Sequence, residues 1–230
     1  ACANLNEMLL AAARNQRFAR QARASTNDEA ARVRQLFAAS RRIRDTYNHE
    51  LSGGKWNHLM DQTYLGYFDW YQPTADIPPP VTELDLPDEA RFGVSVEGSA
   101  LAWPGYYLPP ALPAFDGLLR GEHWFEIFPR GRRAMQVEVR ADQAWIQLKT
   151  VPAFSAGSQD LRYGFTIYWA GVPQGATTGS ITVSDGKEQV RIGVSLLPAT
   201  AQQRQEARGA WGSLAAAFSI PADGFERQTE

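Results

Sequence analysis

The sequence predicts a multidomain α+β protein, with an N-terminal helical-bundle segment followed by an antiparallel β-sandwich. Three observations point there. Residues 1–72 contain no proline and only three glycines, Gly53, Gly54 and Gly66, whereas all fourteen prolines lie beyond them. Hydrophobic spacing changes across the same boundary from threes and fours to alternation. Charge divides with it: ten Lys and Arg against seven Asp and Glu before residue 73, thirteen against eighteen after it. The predicted organisation is a helical segment over 1–72, a proline-rich connector over 73–89, a β-sandwich over 90–198 and an unassigned tail over 199–230.

Leu5, Met8, Leu9, Ala12, Gln16 and Ala19 recur at helical spacing and build an amphipathic stripe. Ser25, Thr26 and Asn27 interrupt it, and Asp28 and Glu29 follow as the capped start of a second helix. Val33, Leu36, Phe37, Ser40, Ile43, Tyr47 and Leu51 carry its period on to Gly53-Gly54, which is expected to close it. Two such helices are part of a bundle, and their apolar faces need partners. The chain starts Ala1-Cys2-Ala3 without Met, so it is expected to be the downstream part of a longer protein, with some of those partners upstream. Until covered, the exposed stripe is expected to favour a homodimer.

After the connector, with its Pro73, Pro78, Pro79, Pro80 and Pro87, come the strands. Phe92-Val94-Val96, Phe165-Ile167-Trp169 and Val190-Ile192-Val194 alternate with polar residues. Trp124–Phe128, Met135–Val139, Trp145–Leu148 and Ser180–Val183 are further strands, and Asp185-Gly186 marks a hairpin turn. Short strands about ten residues apart suggest a sandwich. The tail has weak periodicity around Trp211, Leu214 and Phe218.

Composition narrows the function classes. With 44% hydrophobic and 21% charged residues the chain is ordinary globular protein, and its net charge of −2 speaks against nucleic-acid binding. A single cysteine, Cys2, leaves no internal disulfide and no cysteine-based zinc site. No apolar run reaches the length of a membrane span. Gly53-Gly54-Lys55 lacks the rest of a phosphate-binding loop, and Gly93-Val94-Ser95-Val96-Glu97 lacks the closing glycine of a nucleophile elbow. His49 with Asp45 and Glu50 reads as a solvated cluster at a helix end, so no metal is expected. The arginines at 14, 17, 20, 23, 32, 34, 41, 42 and 44 read as a solvated face.

One segment stands apart. Between Gly53 and Tyr67, the residues Lys55, Asn57, His58, Asp61, Gln62 and Thr63 can all hydrogen-bond, and Trp56, Tyr64 and Tyr67 sit among them, with Trp70 and Tyr71 just beyond. Aromatic faces can stack on a sugar while neighbouring polar groups take its hydroxyls, and function concentrates on loops held by rigid elements. An interdomain joint uses the same groups to satisfy one another.

The stretch GGKWNHLMDQTYLGYFDWYQP resembles the signature of glycoside hydrolase family 115, the xylan α-1,2-glucuronidases. The likeness extends upstream through Ala3-Asn4-Leu5, Arg14-Asn15, Gln21-Ala22-Arg23 and Tyr47-Asn48. Downstream it takes in Ala102-Trp103-Pro104, Leu112 to Asp116, Phe125 to Gly131 and Ala144-Trp145-Ile146, so that it covers residues 1–198. Tyr64 stands where the family usually has His, and Leu59 where it usually has Met. The first change removes an imidazole, and the second is a mild change of shape.

The resemblance implies hydrolytic removal of glucuronic or 4-O-methylglucuronic acid side groups from xylan by a secreted or periplasmic enzyme. Its partners would be glucuronoxylan or its oligosaccharides and an upstream β/α barrel carrying the catalytic carboxylates. A barrel needs about 250 residues of alternating strands and helices, which this chain does not have. No catalytic residue is therefore assigned here, no cofactor is expected, and the chain alone is expected to be inactive.

Lys55, Trp56, Asn57, His58, Asp61 and Gln62 are the expected substrate-binding or loop-orienting residues. Lys55 is a candidate partner for the uronate or for Asp61, and Trp56 either anchors the loop or stacks on sugar. His58, Asp61 and Gln62 are expected to form a network that holds the loop. The alternative is an accessory β-sandwich that is purely structural or binds carbohydrate. For the latter, Trp103, Tyr106, Tyr107, Trp124, Trp145 and Trp169 are the candidates, Trp145 and Trp169 being expected in the core.

Overall fold

The structure is a computed structural model and describes residues 1–118, 121–153 and 158–206. Among them the order is α1 (Cys2–Arg20), α2 (Ser25–Asp45), β1 (Phe92–Val96), β2 (Phe115–Asp116), β3 (His123–Pro129), β4 (Glu138–Ala141), β5 (Ile146–Val151), β6 (Leu161–Ile167), β7 (Thr178–Ser184), β8 (Gln189–Leu197) and α3 (Ala201–Glu206). The architecture is α+β: helices first, then two four-stranded sheets, ordered β1-β3-β6-β5 and β2-β8-β7-β4. Trp211, Leu214 and Phe218 lie outside the described residues.

The chain divides into two compact units, the first made of Ala1–Gly93, Ile127–Gln136 and Ala153–Asp160. Residues 73–89 fall in the same unit as the helices. In this unit α1 and α2 bury Met8, Ala11, Ala12, Val33 and Leu36 with Leu65, and Leu5, Phe37 and Val81 pack against that cluster. Asn4 ties the helices together, its Nδ2 donating to the Leu36 carbonyl and the Ser40 hydroxyl. Arg17 and Arg20 end α1, where cations oppose the dipole. A Cβ at Gly131 would collide with the Glu89 carbonyl, so only glycine fits there.

Two helical expectations are corrected. Ser25, Thr26 and Asn27 form the first turn of α2 and provide no side-chain cap. Their polar groups reach further: Ser25 Oγ donates to Asp160 Oδ2 at 2.9 Å, and Asn27 binds the backbone of Leu84. Next, α2 stops at Asp45 and a wide π turn covers Thr46–Glu50. Ser52, Gly53 and Gly54 then take positive φ of 52°, 66° and 81°, which ends helical structure where the glycines led one to expect. As expected, α1 and α2 pack against each other as a two-helix segment.

Residues 81–84 lie on this pair. Asn15, fully buried, donates from Nδ2 to the carbonyls of Thr26 and Thr82, and accepts the Thr82 N–H, each at 2.8 Å. Asn27 does the same for Leu84, donating to its carbonyl at 3.0 Å and accepting its N–H at 2.8 Å. Two carboxamides thus satisfy the main chain at 82 and 84, as a neighbouring strand would. Between them Glu83 accepts from Arg34 at 2.8 Å, an exposed hydrogen bond that holds the Glu83 carboxyl below its ordinary pKa.

The largest fully buried polar side chain of this unit is Arg23. Its guanidinium lies between the Phe18 and Phe128 rings, 4.2 and 3.9 Å from their centroids, and pairs with Asp160 at 3.2 Å. Neither side chain of the pair is appreciably exposed.

The second unit holds Val94–Glu126, Val137–Pro152 and the chain from Leu161 on. Here alternation did its work: β8 buries Val190, Ile192, Val194 and Leu196, while Arg191 and Ser195 between them are exposed and Gly193 is half-buried. Phe115 of one sheet meets His123 and Phe165 of the other at 4.4 and 5.1 Å, so the buried faces of the two sheets share aromatic contacts. The expected turn is present, with the Asp185 carboxylate accepting the N–H groups of Lys187 and Glu188.

The expectation of purely antiparallel sheets is corrected. β2 runs parallel to β8, Phe115 opposite Leu196, because the chain after β1 returns through a long loop to that edge. The strand expected at Met135–Val139 is Glu138–Ala141. Trp169 sits in a single 3-10 turn, Trp169–Gly171, rather than on β6.

Candidate functional site

The segment Lys55–Tyr71 follows the left-handed residues 52–54 and contains neither regular helix nor strand. Its shape comes from a few hydrogen bonds. Asn48, buried in the π turn, donates from Nδ2 to Asp61 Oδ1 at 2.7 Å and accepts the Met60 N–H at 3.0 Å. Asp61 Oδ2 lies 2.6 Å from His58 Nδ1. His58 has φ of 70°, which costs a side-chain-bearing residue about 1–2 kcal/mol. The Asn57 side chain, which accepts the His58 N–H at 3.0 Å, helps hold it there.

A second anchor is Asp76. Its Oδ1 accepts the N–H groups of Tyr64 and Leu65 at 2.8 and 3.0 Å, while Oδ2 pairs with Arg44 at 3.0 Å. Thr63 Oγ1 donates to the Pro73 carbonyl, and the Tyr67 hydroxyl to the Thr63 carbonyl. Gly66, at φ 88°, lies so close to Ile77 that a Cβ would collide with it.

The structure therefore joins some of the expected residues and separates others. His58 and Asp61 form a network, but its hub is Asn48, and Gln62 is exposed outside it. Lys55 does not pair with Asp61: its Nζ lies 5.0 Å from the Trp56 ring centroid, and Asp61 is taken by His58 and Asn48. Trp56 is 37% exposed, neither a buried anchor nor a free platform. Asn48 and Asp76 escaped the sequence reading because each acts on the segment from outside it. An asparagine at a helix end and an aspartate among prolines carry no local signal for that.

Lys55, Asn57, His58, Asp61 and Gln62 are all exposed, so their polar groups are open to a ligand. Around them Leu59, Phe68 and Tyr71 are exposed, and Trp70 is 99% so. Beside the segment, Ile43, Tyr47 and Leu51 line an open hollow. Asp45, His49 and Glu50 are exposed, and among the described residues no group of three or more His, Cys, Asp or Glu is placed to hold a metal ion. Several helix arginines are paired: Arg14 with Glu29, Arg32 with Glu7, Arg34 with Glu83, Arg44 with Asp76.

In the second unit Trp103 and Trp145 are buried, and Trp124 and Trp169 are half-buried. The Arg162 guanidinium covers the Trp124 ring at 4.2 Å. Tyr106 and Tyr107 are exposed. Among the described residues no helix is long and apolar enough to cross a membrane. No protein-family model matches the sequence, and no curated protein matches it either.

Proposed function

We propose that this chain is the C-terminal part of a xylan α-1,2-glucuronidase, its helical-bundle segment and β-sandwich supporting a catalytic β/α barrel upstream. In this reading Lys55–Tyr67, with Trp70 and Tyr71 just beyond it, covers the barrel near the uronic acid pocket and orients groups there without transferring protons. The observation that carries the proposal is the exposed aromatic surface of this segment. Six large rings are exposed on a backbone fixed by Asn48 and Asp76, those of Trp56, Tyr64 and Tyr67 in part and those of Phe68, Trp70 and Tyr71 almost wholly. Exposed apolar surface of that density marks an interaction site. The family resemblance of the same residues names the partner.

The test uses the full-length enzyme with Lys55→Ala, His58→Ala and Asp61→Ala made singly. Catalytic efficiency toward a glucuronic-acid-decorated xylo-oligosaccharide should fall by about tenfold in at least one variant, with the protein still folded. The 230-residue chain alone should release no glucuronic acid. Wild-type kinetics in all three variants, with only thermal stability reduced, would make the segment an interdomain joint.

A further inference from the structure

The loop between β1 and β2 carries a second aromatic surface, in the other unit and apart from the proposed function. Trp103 is its anchor. Its backbone exchanges both hydrogen bonds with Val94, at 2.7 and 2.9 Å, and its indole N–H donates to the Leu108 carbonyl at 2.6 Å. Further along, Gly193 of β8 donates to the Pro110 carbonyl and accepts the Leu112 N–H. The loop is thus tied to a strand near each end and braced across its middle.

On that frame the Trp103 and Tyr106 rings meet edge to face at 6.2 Å, and Tyr106 and Tyr107 lie 4.8 Å apart. Tyr107 is 83% exposed. A single exposed tyrosine is unremarkable. Two on a braced loop offer rigid amphipathic contact area at little entropic cost.

The rings border an open hollow of ≈ 290 Å³, whose other side is Gln189 and Arg191 of β8. Arg191 is held at its stem: Nε donates to Ser180 Oγ at 2.8 Å, and Asp142 accepts the Ser180 N–H and hydroxyl in turn. An Nη nitrogen stands 3.7 Å from Asp142, an ion pair without a hydrogen bond, and the side chain is 73% exposed. The outer edge of the guanidinium is therefore positioned and available. Arginine's planar fork matches a carboxylate, and the Gln189 amide can donate to and accept from hydroxyls.

We infer that this hollow binds an acidic oligosaccharide, a sugar ring lying on Tyr107 and Tyr106 and a uronate reaching Arg191. A cleft of this size suits one or two sugar rings, and the pairing of aromatic faces with a few placed polar groups is what such a ligand needs. Only the choice of a xylan-derived probe rests on the proposed function.

Calorimetric titration of the 230-residue chain tests it with three probes: neutral xylohexaose, a glucuronic-acid-bearing xylo-oligosaccharide and an oligogalacturonate. At least one acidic probe should bind about fivefold or more tighter than xylohexaose. Tyr107→Ala should weaken that binding by about tenfold with thermal stability unchanged. Arg191→Gln should abolish the preference for acid. Binding of the oligogalacturonate alone upholds the site and counts against the xylan reading. Binding by no probe, equal binding of neutral and acidic probes, or variants that bind as wild type would overturn the inference.

Discussion

Beneath the helix pair lie Met8, Ala11, Ala12, Val33 and Leu36 together with Asn15, Arg23, Thr26 and Asn48, whereas the second unit buries Phe115, Phe125, Phe165, Ile181, Ile192 and Leu196. Alanines bury little apolar area, so the contact between α1 and α2 draws less on water exclusion and more on hydrogen bonds, although the same unit also buries Phe18, Phe92, Ile127 and Phe128. The β-rich unit is the reverse. Its strands are specified by which face is greasy, and few directional contacts are needed to choose the register. The difference teaches where each unit is vulnerable. One fails when a polar partner is lost, the other when volume is lost.

The largest expected effect comes from the buried ion pair. Asp160→Ala removes the Asp160 carboxylate from beside the buried Arg23 guanidinium, and should lower the unfolding free energy of the first unit by about 3–5 kcal/mol in urea titrations followed by helix circular dichroism. Changing both partners, Arg23→Met with Asp160→Leu, should return most of that loss, because apolar groups of similar volume need no counterion. Phe165→Ala should cost the second unit a similar amount through the cavity it leaves. A double variant as unstable as the single one would break the contrast between the units.

Asn15→Ala comes next. It removes three hydrogen bonds in a fully buried place and should cost about 2 kcal/mol. Hydrogen exchange at the Thr82 amide should quicken with it. Asn27→Ala, half-exposed, should cost about 1 kcal/mol or less and speed the Leu84 amide instead. Equal losses would mean that burial does not set the difference.

Smallest is the turn between β7 and β8. Hydrogen bonds from the backbone N–H groups of Glu188 and Lys187 hold the Asp185 carboxyl below its ordinary value of 3.8. A carboxyl depressed on folding stabilises the protein above its unfolded pKa, and that contribution is lost as pH falls through the folded one. An NMR titration should place the Asp185 midpoint below 3.8, with the Lys187 and Glu188 amide shifts following it. Because the group is exposed, Asp185→Asn should change stability only slightly, and only on the neutral side of that midpoint. A midpoint at or above 3.8 would remove the turn from the polar devices of the β-rich unit.

What was legible in the sequence follows the same contrast. β1 alternates in sequence although it is buried at every position, and the alternation in β8 and the helical spacing in α1 and α2 could be read because burial repeats with the period of the element. β2 could not, since two residues pairing parallel to β8 leave no period. The end of α2 was misplaced because Tyr47 and Leu51 keep helical spacing while the backbone widens around Asn48. In the candidate site, the density of polar and aromatic groups at Lys55–Tyr71 was visible. The anchors Asn48 and Asp76 were not, because a hydrogen bond reaching across the chain has no sequence spacing of its own.

Asn15 and Asn27 give residues 81–84 a further meaning. They grip the peptide groups of Thr82 and Leu84, not their side chains, and nearly every amino acid supplies the same peptide group. The helix pair handles this stretch as a receptor handles a bound peptide, one delivered in cis at high effective concentration. Recognition of that kind is blind to residue identity at 82 and 84, with proline the exception because it has no N–H to give. The constraint falls on the receptor instead. Two asparagines must stay, while positions 82 and 84 of the strap they hold are free to drift.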